Sequence, residues 1–266
     1  MSYMPVIPNT GLAGWQFLQR TYDAQFEAFN TSSQLQREAD YFTDNIGDIQ
    51  SAEDLVADRR LLKVALGAYG LQDDIDNRYF IQKILSDGVG SDDALANKLS
   101  DERYARLSEA FGFGPGETAT TGLAGKMADV VQLYRTQSFE VSVGEQDDTM
   151  RVALYAQREL TELAEKDVSE ETKWFTLMGL APLRSMFETA LGLPSAFGQI
   201  DIDQQLEVLQ DKTAAITGDD SVSQFSDPEN LEKLTTHYLA RSQIAGLNAA
   251  NSSGANALAL LQSVGY

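Results

Sequence analysis

Five glycines lie close together in AFGFGPGETATTGLAGKM, residues 110–127, and a stretch of this kind could cradle a phosphate. A nucleotide-binding P-loop follows a buried strand and has the pattern G-x-x-x-x-G-K-[ST]. In that frame the chain has Thr120 where the first glycine is required and Met127 where Ser or Thr is required. The stretch also follows an amphipathic helical pattern that ends at Phe111. We therefore interpret it as a helix stop, a turn and an exposed linker, and we expect no nucleotide or other cofactor.

Other residue types that support catalysis are few. The absence of cysteine excludes disulfides, thiolate metal ligands and a cysteine nucleophile. His237 is the single histidine, which excludes a metal site with two histidine ligands. The 40 acidic residues could include a carboxylate pair for acid–base catalysis, but their number makes any chosen pair uninformative. We expect a protein that is not an enzyme and holds no metal; the alternative is an enzyme whose carboxylate site the sequence does not locate.

Charge and hydropathy narrow the classes of partner. The 266 residues include 20 Lys and Arg against 40 Asp and Glu, a formal net charge of −20. Such a charge repels phosphates, so we expect no nucleic acid ligand, and the acidity indicates either a solvated surface or a basic partner. No segment reaches the roughly 18 apolar residues of a membrane span. The amino end lacks the basic start and apolar run of a secretory signal, so we expect a cytoplasmic protein.

Helical periodicity runs along the whole chain. Ser51, with Asp54 three residues later, is typical of a capped helix start, and the apolar stripe that follows predicts one helix up to Gly70. FEVSV at 139–143 alternates like a strand, but a short strand without a partner is unstable, which favours a distorted helix end. The predicted class is all-α and multihelical. Further predicted helical faces carry Leu35, Ala39, Phe42 and Ile46; Tyr79, Phe80, Ile81 and Ile84; Tyr104, Leu107 and Phe111; Met127, Val130, Val131 and Tyr134; and Met150, Leu154 and Leu163.

Two segments share one pattern of apolar positions. LLKVALGAYGL at 61–71 matches LRSMFETALGL at 183–193, including the Gly-Leu end. After five extra residues, Asp-Ile-Asp recurs at 74–76 and 201–203, and a Ser-Asp helix start follows in both halves. We interpret this as a duplication that gives two tandem helical repeats with apolar helical termini. The predicted organisation is an N-terminal helix or arm at 1–32, a first repeat at 33–112, a linker and connecting helix at 113–148, a second repeat at 149–241 and an uncharged tail at 242–266.

Several of these segments together resemble the bacterial domain-of-unknown-function 1217 family. They are ADRRLLKVALGAYGL, ANKLSDERYARLSEAFGFG, RVALYAQREL and LGLPSAFGQIDIDQQLEVL. The resemblance implies no established catalytic residues. Many members in alphaproteobacteria are encoded among flagellar genes, which implies a role in flagellar assembly or structure, with a flagellar component or a chaperone as the protein partner. It also makes the bacterial flagellum, reached by type III export, the alternative location.

Both ends of the chain have apolar residues that could bind a partner. The tail AGLNAANSSGANALALLQ resembles the carboxyl end of flagellins and related axial proteins, and 242–266 contains no charged side chain. A free surface helix normally has charge on its outer face, so this tail suits burial between other helices. At the amino end, aromatic and leucine residues spaced by three or four could form a matching helix. Both ends either dock on the core or bind a partner, and the predicted partner-binding residues are Trp15, Leu18, Tyr22, Phe26, Leu247, Leu258 and Leu261.

Overall fold

The protein is all-α in the part of the chain that the structure describes. This structure is a computed structural model, which describes the backbone from Tyr3 to Ser263 and the side chains from Tyr3 to Asn248. Within these residues there is no strand, and FEVSV lies inside a helix, so the predicted class is confirmed. The α-helices are α1 Gly11–Asn30, α2 Ser33–Asn45, α3 Ala52–Ala57, α4 Arg59–Ala68, α5 Arg78–Asp87, α6 Leu95–Lys98, α7 Arg103–Phe111, α8 Ala124–Gly144, α9 Asp148–Glu165, α10 Glu170–Gly179, α11 Ala181–Leu191, α12 Ile202–Thr217 and α13 Pro228–Ser263.

The chain forms two compact units that are not continuous in sequence. The first unit consists of the chain up to Ile7, Leu18–Gln146 and Met178–Ala181. The second consists of Pro8–Phe17, Asp147–Leu177 and the chain from Pro182 onward. Each unit has its own buried core.

In the first unit, α4 packs against α2 and α8. The face of α2 predicted from Leu35, Ala39 and Phe42 is buried, as its spacing of four and three residues requires. Gly67 allows the close approach of α4 to α8, because a Cβ atom at this position would lie 2.7 Å from the ring of Tyr134. A side chain at position 67 would push the two helices apart.

The single helix predicted from Ser51 to Gly70 is wrong, because the chain folds there as two helices, α3 and α4. Ser51 caps α3 as predicted, and its Oγ accepts from the Asp54 backbone N–H at 3.1 Å. Asp58 then adopts an extended backbone, with φ −92° and ψ 102°, and caps α4. Its carboxylate accepts from the backbone N–H groups of Arg60 and Leu61 at 2.8 and 3.1 Å. Capping of a new helix outweighs continuation of the old one at this aspartate.

The glycine-rich stretch is a packed loop, so the prediction of an exposed linker is wrong for much of it. Gly112 ends α7 in the left-handed conformation with φ 62°, as a glycine permits. Gly114 lies against Gly88, and a Cβ atom on Gly114 would be 2.5 Å from the Gly88 Cα. Thr121 is buried, and its hydroxyl donates to the Ile49 carbonyl at 2.7 Å. Backbone contact and internal hydrogen bonds therefore hold this loop on the first unit.

The core of the second unit is aromatic at its centre. Trp174, Phe187 and Phe225 are fully buried, and their rings make edge contacts with centroids 5.7 Å apart in both successive pairs. The Trp174 indole N–H donates to the Asp220 carbonyl at 3.0 Å. Lys173 is buried too, and its ammonium donates to the Ala164 carbonyl at 2.8 Å. Ring packing and satisfied polar groups thus hold α10, α11 and the segment before α13 together.

The helices α4 and α11 end in the same way, at the positions that the repeat interpretation pairs. Gly70 and Gly192 have φ angles of 69° and 66°. The N–H that follows each glycine donates to a carbonyl five residues earlier, at 2.9 and 2.8 Å, which is the Schellman type of helix end. This ending is common in unrelated helices, so the duplication stays a prediction.

Candidate functional site

Two of the predicted aromatic residues of the amino end, Tyr22 and Phe26, pack into the first unit. Tyr22 and Phe26 on α1 stack with centroids 5.6 Å apart. Both rings, and that of Phe29, make edge contacts with the fully buried Phe139 of α8 at 5.4 to 5.5 Å. We call these four rings the Phe139 cluster. Since one end of each ring contact lies in α8, the Phe139 cluster fastens α1 to the interior of this unit.

Other residues of the amino end are buried or hydrogen-bonded within the chain. Trp15, in the second unit, and Leu18, in the first, are 6% and 0% exposed. The buried amide of Gln25 accepts from the Val6 N–H at 2.6 Å and donates to the Val6 carbonyl at 3.2 Å. Gln146 donates to the Pro5 carbonyl at 2.5 Å. The α1 helix and the segment before it have partners within the chain, and contact of this end with another protein stays a prediction.

At the carboxyl end, in contrast, the described side chains become exposed along α13. Helix α13 is continuous, and its first half is buried at Leu231, Leu234, Tyr238 and Leu239. Every residue from Gln243 to Asn248 is exposed, and among them Ile244 and Leu247 are 57% and 59% exposed. The side chains of the other two predicted contact residues, Leu258 and Leu261, lie outside the described residues. We call Gln243–Ser263 the distal segment of α13.

The sequence register of the distal segment is that of a helix that packs against other helices. Positions 244, 247, 251, 254, 258 and 261 alternate in spacing between three and four, which is the a and d spacing of a packed helical seam. Four of the six are Ile or Leu, and the other two are Asn251 and Gly254. The segment contains no charged side chain at any register position. Chemically, it offers apolar contact without ion pairs.

A cleft of about 510 Å³ in the first unit contains the best candidate for a catalytic carboxylate. Glu38 accepts hydrogen bonds from the Tyr134 hydroxyl and from the Lys63 ammonium, the latter at 2.5 Å. Burial raises the pKa of Glu38, but the hydrogen bonds from Lys63 and Tyr134 outweigh it, and the pKa lies below its usual value. Burial and then the bond to Glu38 raise the pKa of Tyr134. Glu38 is therefore a paired, ionised carboxylate.

The other candidate metal ligands are the single histidine and the remaining acidic residues. His237 lies exposed on α13. Among the side chains that the structure describes, no group of three or more His, Asp or Glu residues is placed to hold a metal ion. Over the same part of the chain, no helix combines the length and the apolar character that crossing a membrane requires.

Both the fold and the sequence of this protein have matches among known proteins. The all-α architecture recurs in the X-ray crystal structure of protein AGR_C_984 from Agrobacterium tumefaciens, which is 25% identical in sequence. The match covers 91% of this chain and 99% of that chain, with a TM-score of 0.71. The family model "Protein of unknown function (DUF1217)" matches residues 68–231, more than half of the chain, and the protein belongs to this family. No curated protein matches the sequence of this chain.

Proposed function

We propose that the protein is a non-enzymatic assembly protein that acts through protein–protein contacts in the bacterial flagellar system. The observation that supports this proposal most strongly is the distal segment of α13, whose described side chains are exposed and include Ile244 and Leu247. Burying one such side chain contributes roughly 1.5–3 kcal/mol, so the two together supply a useful share of a binding free energy.

The absence of charge on the distal segment bears on how the partner binds. A helix that stays on a protein surface normally has polar and charged residues on its solvent face, whereas an apolar helix without them is buried on most sides. From Ser242 to the end of the sequence no side chain is charged, although the chain as a whole has a formal net charge of −20. We infer that the partner provides a groove between helices rather than one flat helix face.

The flagellar part of the proposal has separate support. The tail resembles the carboxyl ends of flagellins and related axial proteins, and the resemblance to the family implies an association with flagellar genes. The proposed partner is therefore a flagellar component or a chaperone for one. The proposed location is the cytoplasm, with export to the flagellum by the type III route as the alternative.

Motility of a gene-deletion strain tests this proposal. The strain is complemented with the wild-type chain, with Leu247→Glu, or with Ile202→Glu. Ile202 is a matched control, since it is also an exposed aliphatic residue of the second unit, at 45% exposure, but lies on α12. We expect the deletion strain to swim poorly and the wild type and Ile202→Glu to restore swimming. Leu247→Glu, expressed at the same level, should not restore it, because a buried unpaired carboxylate opposes docking.

Two results would contradict the proposal, and they do so at different levels. Normal swimming of the deletion strain would exclude the flagellar role. Full rescue by Leu247→Glu, in a strain that does need the gene, would exclude the distal segment as the contact surface.

A further inference from the structure

A second cleft of the first unit lies along α8. It has a volume of about 420 Å³. The end of α2 and the turn after it form one wall, the loop residues Thr121 and Gly122 form one end, and a face of α8 forms the floor. The apolar part of the lining comes from Ile46, Met127 and Val131.

The electrostatics of this cleft differ from those of the rest of the chain. None of its lining residues is acidic, although the protein has twice as many acidic as basic residues. Its one charged lining residue is Arg135. Although the chain has a formal net charge of −20, the lining of this cleft places no carboxylate against an anion and offers one cation.

Arg135 has an unused hydrogen-bond donor at this position. Its Nε atom is buried and has no hydrogen-bond partner among the described residues. Buried donors are nearly always paired, and one left unpaired weakens the fold. By contrast, Arg103 and Arg184 in this protein each pair with a carboxylate, at 2.7 and 2.9 Å. Arg135 therefore lines the cleft without a carboxylate partner for its Nε atom among the described residues.

The other polar side chains of the cleft do not take this role. The hydroxyls of Thr43 and Thr121 donate to the carbonyls of Ala39 and Ile49, at 3.0 and 2.7 Å, so they present lone pairs rather than donors. Gln132 is exposed and offers an amide N–H. An anion in the cleft would thus be held by Arg135, with Gln132 as the second donor.

We infer that this cleft binds a small organic anion, a carboxylate or sulfonate attached to an apolar body. The guanidinium group presents its donors in a fork that matches the two oxygens of a carboxylate. The apolar body would lie against Ile46, Met127 and Val131, and the volume is in the range of small-molecule sites. This site is independent of the proposed protein contacts of α13.

The test uses a matched pair of probes, 1-naphthoate and its neutral isostere 1-naphthamide, titrated into the full chain by calorimetry. We expect 1-naphthoate to bind about tenfold or more tightly than 1-naphthamide, since the charge-assisted pair with Arg135 is made only by the anion. Arg135→Gln should remove this preference and leave 1-naphthamide within about twofold of its original affinity. Arg59→Gln, a control that removes a positive charge from a residue that does not line the cleft, should change neither.

A second variant keeps the test decisive if Arg135→Gln folds poorly. Ala128 lies exposed on the cleft wall, and Ala128→Phe should fill the cleft and abolish binding of both probes while Arg135 remains. Equal affinity of the two probes, unchanged 1-naphthoate binding in Arg135→Gln, or no binding of either probe at millimolar concentration would each overturn the inference.

Discussion

Helix α1 and the distal segment of α13 have similar apolar spacing, yet the protein places them in opposite environments. On α1 the aromatic residues enter the Phe139 cluster, and the solvent face carries the exposed Arg20, Asp23 and Glu27. On the distal segment Ile244 and Leu247 are exposed, and no charged side chain accompanies them. Apolar periodicity thus predicts that one face of a helix will be buried. Charged residues on the opposite face indicate a helix that packs on its own chain and faces solvent on the other side.

The largest expected effect is the loss of the Phe139 cluster. Phe139→Ala should lower the free energy of unfolding by about 3–5 kcal/mol, because it removes a fully buried ring that three others contact. The control is Leu247→Ala on the distal segment, which should stay within about 0.5 kcal/mol of the wild type. Urea unfolding followed by circular dichroism measures both. Similar losses for the two variants would remove the contrast between the two ends.

A smaller loss is expected at Gln25. Gln25→Ala removes both hydrogen bonds to Val6, which at about 0.5–1.5 kcal/mol for each bond should cost about 1–3 kcal/mol. It should also speed proteolysis in the segment before α1. Gln16→Ala, at an exposed position of the same helix, should change the unfolding free energy by less than about 0.5 kcal/mol. If Gln25→Ala were equally neutral, the segment before α1 would not be fastened as described.

The smallest expected effect is that of salt on partner binding. A contact made by uncharged residues should change little in affinity between about 50 and 500 mM NaCl, since there are no ion pairs to screen. The measurement is a salt series of the affinity between the full chain and a flagellar component that binds it. A steep loss of affinity with salt would instead assign the contact to the acidic surface.

Much of the fold follows from local patterns in the sequence. The cap at Ser51 and the left-handed ends at Gly70 and Gly112 depend on one residue type each, and they occur where the sequence predicts them. The break at Asp58 does not, because an apolar stripe runs through it. There the Asp58 carboxylate accepts hydrogen bonds from the backbone N–H groups of Arg60 and Leu61, which follow it in sequence. It also accepts one from the Tyr41 hydroxyl of another helix, at 2.7 Å. Contacts between helices decide such a position.

The candidate binding surfaces were predicted unevenly for the same reason. Lack of charge is a local property, so the distal segment could be found from the sequence. Tyr22 and Phe26 pack against Phe139, which lies more than a hundred residues further along the chain. No spacing rule in the sequence predicts that contact. The cleft of Arg135 combines two separate segments of the chain, and its defining feature is a donor without a partner among the described residues. Only a three-dimensional structure shows such a feature.

Deletion of residues 247–266 tests the central claim most directly. If the distal segment is a docking helix, the truncated protein should keep its cooperative thermal unfolding. Its free energy of unfolding, about 5–15 kcal/mol for a typical domain, should stay within about 1 kcal/mol of the wild-type value. The same deletion should abolish binding to the flagellar partner and impair swimming. A truncated protein that unfolds or loses several kcal/mol, or one that binds and swims like the wild type, would contradict this account.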